Sequence, residues 1–109
     1  MKIEKQNIQS HAIRFSAKVD SKEIGRAYLY IIKNDLHDES YGLMEDVFVE
    51  EQNRGQGIGR MLVQAVIDEA REKNCYKLIG QSRYGREEVH NMYTRFGFKD
   101  HGKNFRMDI

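Results

Sequence analysis

At 109 residues the chain has room for one modest core, and 18 Lys and Arg against 17 Asp and Glu leave a formal charge of +1, so no global field gathers nucleic acid or an anionic membrane. No apolar run approaches the roughly 20 residues that span a bilayer, and the polar opening from Met1 to Ser10 lacks the apolar centre of a secretory signal. One cysteine, Cys75, excludes an internal disulfide and a cysteine-rich metal site; the expectation is a single cytoplasmic domain over residues 1–109.

Ile13, Phe15, Ala17 and Val19 alternate with Arg14, Ser16, Lys18 and Asp20, which predicts a half-buried strand. Asp20-Ser21-Lys22-Glu23 predicts a turn, and Ile24 to Ile32, alternating again, predicts a second strand paired antiparallel with the first. After a polar loop from Asn34 to Ser40, Tyr41 to Val49 is apolar on both faces, as a central strand covered on two sides should be. Glu45 and Asp46 interrupt it. A buried carboxylate is costly unless partnered, so this pair lies at a wet end, balances an arginine, or does chemistry.

Gln52-Asn53-Arg54-Gly55-Gln56-Gly57-Ile58-Gly59 joins that strand to a helix-period segment in which Leu62, Val63, Val66, Ile67 and Ala70 share one face. Alternating glycines let the backbone approach a ligand and turn several N–H groups one way, and the helix adds its partial positive end. A phosphate suits such a loop, although a glycine cluster on its own is more often a tight strand-to-helix turn. It is not a P-loop, because no Lys-Ser/Thr follows a glycine at the required spacing. It is not a dinucleotide fingerprint either, because Arg60 stands where the third glycine belongs.

Asn74 is the expected helix stop, and Tyr76 to Gln81 a short strand parallel to the central one, through a right-handed crossover. Glu87 to Phe96 predicts a second helix ended by Gly97. Phe105, Met107 and Ile109 alternate with polar residues and predict a last strand. The fold class is therefore α/β in the broad sense (α+β): a mixed, mostly antiparallel twisted sheet of about five to six strands with two main helices. His11, His37, His90 and His101 show no paired metal spacing, and no metal is expected.

Three segments in order, Met44-Glu45-Asp46-Val47-Phe48-Val49, Arg54-Gly-x-Gly-x-Gly and Tyr93-Thr94-Arg95-Phe96-Gly97-Phe98, resemble the GNAT-type N-acetyltransferase superfamily over about half the chain. The resemblance implies that the pyrophosphate of acetyl-CoA rests on the N–H groups of Arg54, Gly55, Gln56, Gly57, Ile58, Gly59 and Arg60. Its pantetheine arm would pair with the strand edge at Val47, Phe48 and Val49. The implied activity is direct transfer of an acetyl group to a primary amine in a ternary complex, on a small molecule or a peptide. Glu45, with Asp46 second, is the candidate base; a backbone N–H near Val47 would hold the oxyanion, and Tyr93 matches the family's general acid.

Cys75, at the far end of the first helix, is set aside as an acetyl carrier. The strand and two helices that usually precede the hairpin in this family are missing, which implies an open acceptor site or a homodimer that completes it. Arg86 replaces an asparagine often found before the motif tyrosine, and Glu51 a proline after the central strand. The alternative to turnover is a module that senses acetyl-CoA or CoA.

Overall fold

The computed structural model describes residues 1–109. Three strands, β1 (His11–Val19), β2 (Lys22–Ile32) and β3 (Tyr41–Val49), are followed by a single 3-10 turn (Glu51–Asn53), helix α1 (Ile58–Glu72), strand β4 (Leu78–Gly80) and helix α2 (Glu87–Phe96). The strands form one sheet in the order β1-β2-β3-β4. β1 to β3 are antiparallel neighbours. The Tyr76 N–H donates to Ser40 O and the Gly42 N–H to Lys77 O, both at 3.0 Å, so the pairing advances along both chains and β4 runs parallel to β3.

The chain divides into two compact units, Met1–Ile79 and Gly80–Ile109. The core lies in the first. Ala27, Leu29 and Ile31 project from one face of β2 and Met44 from β3, against Leu62, Val63, Val66, Ile67 and Ala70 of α1. Leu29, Val63 and Val66 are wholly buried, each contributing roughly 1.5–3 kcal/mol relative to exposure. Gly25 lets the first turns of α1 settle close to β2, since a Cβ there would stand 3.1 Å from Leu62 Cδ1 and 3.3 Å from Ile58 Cγ2. That contact fixes where the helix begins, and so where the glycine loop sits.

The hairpin turn is tighter than its sequence suggests. Asp20 (φ 51°) and Ser21 (φ 69°) form a two-residue connection, and Lys22 and Glu23 already belong to β2. Positive φ at both central residues matches the right-handed twist of the flanking strands, which a wider turn would splay. β4 is likewise shorter than expected: the Tyr76 ring stacks on His37 with centroids 3.9 Å apart, ahead of the strand. Asn74 takes the left-handed conformation at the end of α1 (φ 58°), with its N–H on Arg71 O and that of Cys75 on Ala70 O.

The final strand does not form, so the sheet has four strands rather than five or six. Residues 98–109 have no regular structure, and Phe105, Met107 and Ile109 are 89%, 83% and 117% exposed. Alternation suits a segment to a half-buried surface, but a strand exists only where a neighbour takes its backbone groups.

The sheet face away from α1 is polar. Arg14 donates to Glu23 Oε2 at 2.8 Å and to the Tyr28 hydroxyl at 3.0 Å, while the Ser16 hydroxyl donates to Glu23 Oε1 at 2.6 Å. The Arg14 hydrogen bond, then that of Ser16, lowers the Glu23 carboxyl from its ordinary 4.5 to about 2. A carboxyl that binds its proton more weakly when folded contributes stability above its unfolded pKa and loses it as pH falls through the folded one. The melting-temperature advantage of the native chain over Glu23→Gln should therefore be full above pH 4.5 and fade towards pH 2. An advantage unchanged at pH 2 would refute the linkage.

Candidate functional site

The site begins where β3 ends. The Glu50 N–H bonds Ile24 O at 2.8 Å, the 3-10 turn follows, and Arg54 Nε donates back to Val49 O at 2.9 Å. This side chain ties the loop to the strand that feeds it. Gly55 and Gly57 both take φ 81°, a left-handed conformation that side-chain-bearing residues avoid. Gly57 is the N-cap of α1, and the first helical bond runs from the Met61 N–H to Gly57 O at 3.0 Å.

The N–H groups of residues 55–60 consequently have no hydrogen-bond partner within the protein. No side chain caps α1 and no acidic residue stands in its first turn, so the positive end of the helix has no counter-charge of its own. The loop residues are exposed or half-buried, within reach of a ligand. Consecutive unclaimed amides at a helix N-terminus suit an oxyanion-rich group, above all a phosphate or diphosphate.

The strand ahead of the loop is bulged. Opposite β2 the register passes from Tyr28↔Glu45 to Arg26↔Phe48, so three residues of β3 advance while β2 advances two. Asp46 takes φ 51° at the extra position. β4 runs alongside the first half of β3 and stops at Gly80, which leaves residues 47–49 with no strand on that side. An extended chain bearing amides can pair with such an edge.

The two candidate carboxylates have different surroundings. Arg26 grips Asp46 with both arms of its guanidinium, Nε on Oδ2 at 2.8 Å and Nη2 on Oδ1 at 3.2 Å. This hydrogen bonding holds the Asp46 carboxyl below its usual range. Glu45 is half-buried, opposite Tyr28 on the polar face, and no side chain holds its carboxylate. Arg26 also lies 4.6 Å from the centroid of the Phe48 ring and Arg54 5.6 Å from it. Nothing in the sequence singles out Arg26, which occupies an ordinary outward position of an alternating strand.

Tyr93 belongs to the second unit, on α2. Gly97 ends that helix at φ 106°, the Phe98 N–H returns to Tyr93 O at 3.0 Å, and the rings of Tyr93 and Phe98 approach to 5.2 Å between centroids. The Tyr-x-x-Phe-Gly-Phe segment is thus a helix stop whose closing bond clasps its first and last residues. Cys75 is a free, half-buried thiol, and burial pushes its pKa up, away from the thiolate an acyl carrier requires.

Residues 2–98 match the acetyltransferase (GNAT) family, a span that runs through both units. A glucosamine 6-phosphate N-acetyltransferase of Trypanosoma brucei brucei is 35% identical over 68 residues, 62% of this chain and 44% of that protein. Glucosamine 6-phosphate N-acetyltransferase 1 of Oryza sativa subsp. japonica is 34% identical over 68 residues, 62% of this chain and 38% of its own length. The match thus spans less than half the length of these curated relatives. Among solved structures, a Trypanosoma brucei acetyltransferase superposes with a TM-score of 0.79 at 29% identity, over 90% of this chain and 69% of the other.

Proposed function

The chain belongs to the GNAT acetyltransferase family, and on that footing we propose that it transfers the acetyl group of acetyl-CoA to a primary amine, directly and within a ternary complex. The observation that carries this reading is the run of unclaimed amides at residues 55–60, beside a strand whose residues 47–49 have no strand on one side. The first suits a diphosphate and the second an extended amide chain; CoA joins the two in one molecule. The acceptor proposed is an amino sugar phosphate, on the strength of the two relatives named for glucosamine 6-phosphate.

Glu45 is assigned as the base, acting directly or through a water, because an alkylammonium has no lone pair to attack with until its proton is removed. Asp46 is the weaker candidate, since Arg26 occupies both its oxygens and lowers its proton affinity. A backbone N–H near Val47, in the bulged stretch, would hold the oxyanion of the tetrahedral intermediate. As the carbon–sulfur bond breaks, Tyr93 would hand its phenolic proton to the departing thiolate, a base of comparable strength. Cytoplasmic location and a homodimer belong to the same proposal: no helix is long and apolar enough to cross a membrane, and the apolar side chains of residues 105, 107 and 109 lie open for a partner copy to cover. Sedimentation reads the dimer directly.

The test is thiol release from acetyl-CoA with glucosamine 6-phosphate, beside a panel of polyamines, aminoglycosides, amino acids and peptides. Turnover with the amino sugar phosphate alone supports the full reading, and turnover with another amine corrects the acceptor. Binding of acetyl-CoA without any thiol release would instead identify a sensor. Tyr93→Phe should lower kcat by about a hundredfold while acetyl-CoA affinity stays near native; an unchanged kcat removes Tyr93 as the acid.

A further inference from the structure

The bulge in β3 decides how the strand meets the glycine loop. Straightening the bulge with the sequence unchanged would slip the rest of the strand by one position against β2, turning Phe48 towards α1 and Val49 outward and moving the end of β3 by roughly 3.3 Å. What holds the bulge is unusual for a strand interior. Asp46 sits at φ 51°, where only a few side-chain-bearing residues are tolerated. Arg26, from the neighbouring strand, contacts both flanks of the irregularity, with Asp46 at 2.8 and 3.2 Å and the Phe48 ring centroid at 4.6 Å. Phe48 is also the residue at which register is regained, directly opposite Arg26.

We propose that Arg26 is a positioning residue for the acyl donor: its fork on Asp46 and its plane over Phe48 hold β3 in the bulged register that offers residues 47–49 to the amide arm of CoA. This rests on the acetyl-CoA reading above. Arg26 touches no reacting atom in this role; it acts through the backbone it fixes. The pair is partly exposed, with side chains 33% and 50% accessible, and exposed pairs contribute little to global stability. The effect of losing it should therefore appear in ligand affinity rather than in unfolding.

Calorimetry with two ligands tests this. One is acetyl-CoA, and the other is the fragment of CoA that ends at the diphosphate and lacks the pantetheine arm. Arg26→Met, with fold checked by circular dichroism and melting temperature, should bind acetyl-CoA about tenfold more weakly and the fragment less than about twofold more weakly. Arg26→Lys, which keeps the charge but not the fork, should fall between native and Met. Adding Asp46→Gly to Arg26→Met should recover most of the lost affinity, because glycine holds a positive φ without a partner. Native-like acetyl-CoA affinity in Arg26→Met, equal losses for both ligands, or no recovery in the double variant would each overturn the inference. Failure of the native chain to bind acetyl-CoA would instead remove the acetyl-CoA reading, and this inference with it.

Discussion

Gly57→Val is expected to weaken acetyl-CoA binding by about tenfold to a hundredfold or more. The cause is backbone conformation, not crowding, since a Cβ at Gly57 would meet no atom within 4 Å. The position requires φ 81°, and a β-branched residue there carries strain of about 1–3 kcal/mol, which equals about fivefold to 150-fold in an equilibrium constant. The chain escapes that strain by rotating residue 57, and the rotation reorients the amides on either side of it. Gly59 supplies the contrast. Its φ is not positive, and a Cβ there makes an ordinary 3.8 Å contact with Val49 Cγ2, so Gly59→Ala should cost much less. Calorimetry with acetyl-CoA on both variants separates the outcomes. Native-like affinity in Gly57→Val would end the assignment of this loop to a diphosphate.

The parts of this fold that were legible in the sequence are those built by short-range rules. Leu62, Val63, Val66, Ile67 and Ala70 can bury together only on a helix, and α1 and α2 lie where their spacing places them. The glycine loop was legible because Gly55 and Gly57 occupy conformations that few other residues tolerate. What escaped depends on neighbours. Phe105, Met107 and Ile109 alternate as well as any strand in the chain, yet a tail cannot announce whether an edge will accept it. The bulge left only an indirect trace, two adjacent carboxylates in an otherwise apolar strand. Regular alternation would send Glu45 and Asp46 to opposite faces; the extra residue breaks it, and both meet the polar face, Glu45 opposite Tyr28 and Asp46 on Arg26. Arg26 could not be linked to Asp46, 20 residues away, without the register of two strands.

Glu45→Gln is the substitution expected to cost most in catalysis, with kcat falling by about a hundredfold or more, since a positioned general base contributes about 10²–10⁴ to rate. Glutamine keeps the shape and the place opposite Tyr28 but has no lone pair basic enough to take a proton from an ammonium. Acetyl-CoA affinity should remain within about twofold, because nothing assigned to cofactor binding is removed. Asp46→Asn is the decisive comparison. Its carboxylate is held on two sides by Arg26 and kept a weaker base, so amidation there should affect mainly the bulge, raising the KM for acetyl-CoA more than it lowers kcat. The reverse pattern, with Glu45→Gln active and Asp46→Asn dead in kcat, would move the proton transfer to Asp46. It would also require Arg26 to release its partner when substrate binds.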